Sequence, residues 1–342
     1  MRSGADADFS LWADELQGWS NGVLTLGMDR TTADQSEGFR SGFVALIGRP
    51  NAGKSTLVNQ LVGDKVAITS PVAQTTRNRL RAILTTTTAQ LILVDTPGIH
   101  KPHHLLGERL VQSARAAIGE VDQILLLLEG CEEPGRGDAF IVNLLQQHRL
   151  PVQVVLNKWD RVPVETRPEA DAAYRELLSA TNWPLHHCSA LSGEGCPDLV
   201  EAISAQMPEG PQLYPPDMVS DQPERLLMAE LIREQVLTHT REEVPHSVAV
   251  QIERVEDMPS KGKGAKPRTA VLATVLVERK SQKGILIGKG GAMLKTIGQG
   301  ARLQMQTLID GPVYLELFVK VVPNWRTSAA KLNELGYSEE RI

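Results

Sequence analysis

The glycines, the lysine and the serine of residues 48–55 have a spacing that can hold phosphate. They read GRPNAGKS, which matches the pattern G-x-x-x-x-G-K-[ST], directly after the apolar stretch 43–47 and before a helical pattern. In such a loop, successive backbone N–H groups turn toward the phosphates, and the helix N-terminus adds positive potential. The lysine can reach the β- and γ-phosphates, and the serine hydroxyl can ligate Mg²⁺. This segment predicts a nucleotide-phosphate site made of Gly48, Asn51, Ala52, Gly53, Lys54, Ser55 and Thr56.

Two further polar segments can complete the chemistry around a γ-phosphate. Asp95 follows the predicted strand 91–94 and can hold Mg²⁺ through water, while the backbone N–H of Gly98 can reach the γ-phosphate. In the polar stretch 74–78, we expect Thr76 to complete the Mg²⁺ shell in the triphosphate state. Ile99 stands where a water-orienting glutamine would be useful, so intrinsic hydrolysis should be slow. The predicted metal ligands are Ser55, Thr76 and Asp95, and the predicted catalytic groups are Lys54, Thr76 and Gly98.

A third set of residues selects the base. Asn157, Lys158, Trp159 and Asp160 follow the apolar strand 151–156. The carboxylate of Asp160 can accept hydrogen bonds from N1–H and the exocyclic amine of guanine, whereas adenine would leave it unpaired. The stem of Lys158 can cover the base, and Asn157 can tie this loop to the phosphate loop. A backbone N–H for guanine O6 is expected from Ser189, Ala190 and Leu191.

The elements between these motifs predict an α/β fold. Apolar strands at 43–47, 91–94, 123–128, 151–156 and 185–188 alternate with helical stretches, which is typical of a mostly parallel sheet covered on both faces. Each nucleotide motif follows a strand, and the carboxyl ends of parallel strands lie at one edge of a sheet. The motifs, their order and their positions together predict a GTP-binding domain over residues 39–207.

The rest of the chain divides by composition. Residues 1–38 form an acidic extension of net charge −5, predicted to be flexible, in which an aromatic stripe has helical spacing. Residues 208–223 contain five prolines in sixteen positions and predict a stiff linker. Residues 261–302 carry ten lysines and arginines against one acid, which indicates a polyanion-binding region in a domain over 224–342.

The pattern of this last domain is helix, strand, strand, helix, helix, strand, an α+β arrangement. We predict a helix at 224–241, strands at 247–255, 270–279 and 313–321, and two helices joined by the glycine cluster at 288–291. Glycines there remove side-chain obstruction, so a nucleic-acid backbone can come close. The predicted RNA contacts are Lys283, Ile285, Ile287, Gly288, Lys289, Gly290, Gly291 and Lys295.

The segments GRPNAGKST, QTTRN, DTPG, NKWD and SAL resemble those of the bacterial Era family of GTPases, over roughly residues 40–340. The resemblance implies a P-loop GTPase domain followed by a type II KH domain, with GTP or GDP and Mg²⁺ as ligands. It implies binding to the 3′ region of 16S rRNA and assistance in 30S ribosomal subunit assembly, by a monomer in the cytoplasm. It also suggests peripheral association with the inner face of the plasma membrane. Asn51 resembles a residue that helps to bind a monovalent cation in related GTPases, which predicts K⁺ beside the phosphates.

Two other functions remain open from the residues. The chain could be a GTPase acting in tRNA modification, with the C-terminal domain serving protein contacts, or a nucleotide-gated scaffold that hydrolyses GTP too slowly to matter. The composition excludes other classes. The chain of 342 residues is 42% hydrophobic and 23% charged, its apolar runs are too short to span a membrane, and its three cysteines fit neither a disulfide framework nor a zinc site.

Overall fold

The computed structural model describes residues 38–72, 74–102, 104–258, 268–309 and 311–337. The aromatic stripe of the N-terminal extension and the first part of the basic region at 261–302 lie outside these residues. The described residues all belong to one compact unit. None of the helices in the described part of the chain is long and apolar enough to cross a membrane.

The first half is a six-stranded sheet with helices on both faces, in the strand order β2-β3-β1-β4-β5-β6. Its strands are β1 (Arg40–Gly48), β2 (Leu80–Thr85), β3 (Ala89–Asp95), β4 (Gln123–Glu129), β5 (Val152–Asn157) and β6 (Leu185–His187). Its helices are α1 (Lys54–Val62), α2 (Leu105–Ile118), α3 (Arg136–Leu145), α4 (Arg167–Leu177) and α5 (Cys196–Gln206). Only the edge strand β2 runs antiparallel to its neighbour, β3, in the described sheet. The predicted, mostly parallel α/β sheet is therefore confirmed, and β2 is an addition to it.

Alternate residues of β1 bury against opposite faces of this sheet. Val44 and Leu46 pack in a core with helices α1 and α5. Ala45 and Ile47 pack in a second core with α2, α3 and α4. A strand buried on both faces reads as a continuous apolar run, which is why β1 was visible in the sequence.

The proline-rich segment 208–223 lies along the sheet rather than spanning open space. The side chain of Gln90, fully buried in β3, accepts hydrogen bonds from the backbone N–H groups of Leu213 at 2.7 Å and Tyr214 at 2.8 Å. Ile83 of β2 donates its backbone N–H to Val219 O at 2.9 Å, on the edge of β2 away from β3. The segment thus covers a sheet edge that would otherwise present unpaired backbone groups.

The second half is a three-stranded sheet in the order β7-β8-β9, with β7 antiparallel and β9 parallel to β8. Its elements are α6 (Glu224–His239), β7 (Ala249–Met258), β8 (Arg268–Val277), α7 (Lys280–Ile287), α8 (Ala292–Ile309), β9 (Val313–Val321) and α9 (Ala329–Glu334). The predicted order of helices and strands is confirmed, with boundaries shifted by up to three residues, and α9 was not predicted.

The two halves pack directly against each other. Leu106 and Leu110 of α2 share a core with Ala249 of β7 and Leu276 of β8. Arg109, on the same helix, donates to Asn333 Oδ1 at 2.8 Å and to the backbone oxygen of Tyr337. Helix α2 therefore fixes the C-terminal half beside the edge of the sheet that carries the nucleotide motifs.

Candidate functional site

The phosphate loop connects the end of β1 to the start of α1. Gly53 has φ +95°, and a Cβ there would lie 2.2 Å from Asn157 Nδ2. A Cβ at Gly48 would lie 2.4 Å from Leu127 O, so both glycines are required for this close backbone packing. Lys54 is buried, and its Nζ donates to the backbone oxygens of Gly48 at 3.2 Å and Arg49 at 3.0 Å. Lys54, Ser55 and Thr56 form the first turn of the helix.

The three predicted metal ligands lie together at the bottom of the cleft. Ser55 Oγ donates to Asp95 Oδ2 at 2.6 Å, and Thr76 Oγ1 lies 2.8 Å from Ser55 Oγ and 3.1 Å from Asp95 Oδ2. Asp95 is fully buried, yet its Oδ1 has no hydrogen-bond partner within the described residues. Two hydroxyls and a carboxylate are hard oxygen donors of the kind that Mg²⁺ prefers. The orphaned buried oxygen fits a cation at this position.

Burial shifts the pKa values of Asp95 and Lys54. Burial raises the pKa of Asp95, although Lys54 and the hydroxyls of Ser55 and Thr76 lower it in part. Burial also lowers the pKa of Lys54 to about 8, against a smaller opposing effect of Asp95. A phosphate beside the lysine and a metal ion beside the carboxylate would favour the charged form of each group.

Asn157 joins the base-selecting loop to the rest of the site. Its Nδ2 donates to Ala52 O at 2.8 Å in the phosphate loop, and its Oδ1 accepts from Ala190 N–H at 2.9 Å. The predicted tie between the two loops is therefore present. Ser189 N–H donates to Glu194 O at 2.9 Å. Two of the three backbone N–H groups predicted to bond guanine O6 therefore already donate hydrogen bonds within the protein.

Leu191 carries the amide that is left, because its N–H forms no hydrogen bond within the described part of the chain. Its side chain is 72% exposed at the rim of the cleft. Asp160 is exposed at the start of the turn after Lys158, which itself adopts φ +61°. The Lys158 ammonium pairs with the Glu129 carboxylate, and both residues line the cleft.

A cleft of about 600 Å³ brings all four nucleotide motifs together. Its lining includes residues from the phosphate loop, Thr76, Gly98, Lys158 and Leu191. Glu129, Glu132 and Arg161 also line it and were not among the predicted site residues. Glu129 ends β4 at the same edge as the motifs, and that position was the signal that could have identified it.

Gly98 lies against the phosphate loop, and His100 links it to Gln74 in the polar stretch 74–78. A Cβ at Gly98 would lie 2.5 Å from Pro50 N, so only glycine fits against the phosphate loop. His100 Nδ1 donates to Gly98 O at 3.0 Å, and its Nε2 lies 2.7 Å from Gln74 Nε2. Ile99 is 3% exposed and packs in the core, which agrees with the prediction that it orients no water.

Asn51 sits at the open rim of the phosphate loop with φ +66°. Its Nδ2 donates to Pro71 O at 2.9 Å, which leaves the side-chain oxygen free for a cation. The histidines at 100 and 104 do not form a metal cluster with acids or cysteines in the described chain. His104 instead caps helix α2 by accepting from Gly107 N–H.

The glycine turn between α7 and α8 has an open backbone. Gly288, Gly290 and Gly291 all have positive φ, of +70°, +60° and +81°. A Cβ at Gly290 would meet no atom within 4 Å, so a ligand can reach this backbone from outside. Lys289 on the turn and Lys295 on α8 are exposed, and Lys283 on α7 is half-buried.

The structure separates the two isoleucines that were predicted to contact bases. Ile285 is 51% exposed beside the turn. Ile287 is half-buried and packs against the core of the C-terminal half. Because α7 is a helix, side chains two positions apart point in different directions, and only Ile285 offers a large apolar surface to a ligand.

Comparison with known proteins supports both halves. A family profile described as "50S ribosome-binding GTPase" matches residues 43–158, and one described as "KH domain" matches residues 243–326. Both matches lie inside the predicted domains, whose outer boundaries stay predictions. The chain is 58% identical over 304 residues to the GTPase Era of Rippkaea orientalis, covering 89% of this chain and 94% of that one. It is 48% identical over 305 residues to the GTPase Era of Heliobacterium modesticaldum, covering 89% and 99%.

Two solved structures agree over most of the chain. One is Era in complex with MgGDPNP and nucleotides 1506–1542 of 16S ribosomal RNA, at 38% identity and a TM-score of 0.83, covering 88% of this chain and 99% of that one. The other is a variant of Aquifex aeolicus Era bound to GDP and AlF4−, at 37% identity and a TM-score of 0.82, covering 88% and 100%. With its P-loop GTPase half, its KH half and relatives of this identity over nearly their whole length, the chain belongs to the Era family of GTPases.

Proposed function

We propose that this GTPase binds the 3′ region of 16S rRNA through its KH domain and assists assembly of the 30S ribosomal subunit. The observation that carries the RNA half is the glycine turn at 288–291, where the backbone of Gly290 and Gly291 is open beside the exposed Lys289 and Lys295. A KH loop of this kind clamps about four nucleotides. The related Era structure holds nucleotides 1506–1542 of 16S rRNA, which supports this choice of partner.

GTP is the substrate of the other half, with Mg²⁺ as its cofactor. Ser55, Thr76 and Asp95 would hold the metal, which when bound neutralises charge on the β- and γ-phosphates. Lys54 stabilises negative charge that develops as water attacks the γ-phosphate, and Gly98 N–H donates to the same group. Because Ile99 is buried and apolar, no side chain at that position orients the water, and turnover without a partner should be slow.

A K⁺ ion beside Asn51 would add positive charge where the transition state develops negative charge. The free side-chain oxygen of Asn51 supports this position. Replacing K⁺ by Na⁺ should then slow hydrolysis, and unchanged turnover in Na⁺ would contradict the proposal.

The decisive experiment measures GTP hydrolysis at fixed Mg²⁺ and K⁺, with and without an oligonucleotide from the 3′ end of 16S rRNA. Stimulation is expected, and Gly290→Asp should abolish both RNA binding and stimulation while leaving unstimulated turnover normal. Gly290→Asn adds a side chain of the same size without charge and tolerates positive φ, so it separates obstruction from repulsion. Gly63→Asp is a matched control, because Gly63 also has positive φ and open space but lies at the end of α1.

The outcomes separate the alternatives. RNA binding without stimulation would mean that coupling requires the assembled subunit. Absence of RNA binding would overturn the RNA half and favour a GTPase of another pathway, such as tRNA modification. Hydrolysis that is negligible in all salts and unaffected by RNA would favour a nucleotide-gated scaffold. Action as a cytoplasmic monomer and peripheral membrane association stay predictions.

A further inference from the structure

The threonine segment (residues 69–72 and 74–77) is bound at three points by the KH half of the chain. Thr69 N–H donates to Glu234 Oε1 at 2.8 Å, and the Arg233 guanidinium donates to Thr75 O. At the end of the segment, the Arg77 guanidinium donates to Val248 O at 2.5 Å. The predicted metal ligand Thr76 therefore lies between two residues that are both held by the other half of the molecule.

The orientation of the Arg233 guanidinium is restricted by burial and by an ion pair on its own helix. It is 1% exposed on α6, and its Nε donates to Glu230 Oε1 at 2.9 Å while a second nitrogen, Nη2, contacts the other oxygen of that carboxylate. Such a bidentate pair between neighbouring turns of one helix fixes the plane of the guanidinium. The same Nη2 that contacts Glu230 also donates to Thr75 O. Arg233 does not line the nucleotide cleft, but it contacts the threonine segment, which does.

Fixing the carbonyl of Thr75 restricts the peptide plane that leads into Thr76. That restriction limits where the Thr76 hydroxyl can go, and in this structure the hydroxyl lies 2.8 Å from Ser55 Oγ and 3.1 Å from Asp95 Oδ2. We propose that Arg233 is a positioning residue for the triphosphate state: from the KH half, it holds Thr76 in place to ligate Mg²⁺. This inference rests on the proposed role of Thr76. If it holds, the position of α6 affects GTP affinity, and GTP binding in turn affects the position of α6.

The test compares affinity for a non-hydrolysable GTP analogue, GDPNP, with affinity for GDP, both at fixed Mg²⁺. The variant is Arg233→Met combined with Glu230→Gln, so that the partly buried Glu230 carboxylate is not left without its partner. Affinity for GDPNP should fall about tenfold, the equivalent of one charge-assisted hydrogen bond. Affinity for GDP should stay the same, because the switch threonine responds to the γ-phosphate and its metal ion.

Arg109→Met is the matched control. Arg109 is also a buried arginine at the junction of the two halves, but it bonds Asn333 and Tyr337 and not the threonine segment. The GDPNP-to-GDP affinity ratio should be unchanged in this variant. Melting temperatures of both variants show whether each is folded. An equal loss of the ratio in the Arg109 variant would mean that general loosening of the junction is the cause, and would overturn the proposal.

A double-mutant cycle with Thr76→Ala tests whether Arg233 acts through Thr76. In the Thr76→Ala background, the Arg233→Met and Glu230→Gln changes should cause no further loss of the ratio. Additive losses, or equal losses of GDP and GDPNP affinity, would refute the positioning role. These assays contain no RNA, so a failure of RNA binding in the Gly290 variants and a failure here can be told apart.

Discussion

The buried ammonium group of Lys54 should make nucleotide affinity depend on pH. Burial lowers its pKa from 10.5 to about 8 in the nucleotide-free protein, and Asp95 offsets part of that effect. A shift of this size corresponds to about 3 kcal/mol by which the site as a whole, burial offset in part by Asp95, disfavours the charged form. The phosphates of a bound nucleotide stabilise the same ammonium, so the pKa of Lys54 rises again in the complex.

The sign of the effect follows from this difference. As pH rises through about 8, the free protein loses the Lys54 proton while the complex keeps it, so binding takes up a proton above that pH. Affinity is therefore nearly full below about pH 7 and decreases as the pH rises through about 8. Between about pH 7 and about pH 9, with a free-state pKa near 8, GDP affinity should fall about tenfold.

Titration with fluorescently labelled GDP across this pH range measures the affinity. Calorimetry in two buffers of different ionisation enthalpy should show uptake of about 0.9 proton per GDP near pH 9. Lys54→Met is the control, because any titration of the nucleotide itself persists in it while the contribution of Lys54 is absent. Wild-type affinity that is constant from pH 7 to pH 9, or an equal slope in the Lys54→Met variant, would refute the reasoning.

Three further substitutions have defined outcomes. Asp160→Asn should lower GTP affinity about a hundredfold, because an amide cannot accept both guanine donors, and should favour xanthosine nucleotides in a competition assay. Gly98→Ala places a Cβ 2.5 Å from Pro50 N, so single-turnover hydrolysis should fall while GDP affinity is retained. Gln90→Leu removes the acceptor for the partly buried N–H groups of residues 213–214, and urea unfolding should show a loss of about 1–3 kcal/mol for the two hydrogen bonds. A loss below about 0.5 kcal/mol would contradict this last estimate.

The nucleotide motifs were predictable because each is a short contiguous segment at the end of a buried strand. A run such as residues 43–47 of β1, which are all apolar, can be recognised without knowledge of its neighbours. Parallel strands then place their carboxyl ends at one edge, so the convergence of Ser55 and Asp95 followed from the fold class. The glycine turn was equally local, since positive φ at Gly288 and Gly290 is a property of the chain itself.

Edge elements were harder to predict. Strand β2 (LRAILT) is short and only partly buried, and it forms because β3 offers it a partner on one side and Val219 O accepts from it on the other. The segment 208–223 read as a linker because prolines exclude regular structure, but they do not prevent its backbone from bonding to Gln90. Hydrogen bonds with residues distant in the sequence therefore determine the conformation of both β2 and the segment 208–223.

The amino-acid sequence by itself determined the chemistry of this protein: a phosphate loop, a guanine-selecting loop and an open glycine turn, each formed within a few residues. Only the tertiary structure decided how the two halves are connected. No sequence pattern assigned a partner to Arg77 or Arg233, and their partners lie 171 and 158 residues away. Such contacts form only when α2 and α6 pack against the sheets. That packing depends on the free energy of the whole folded chain, so no local sequence pattern predicts it.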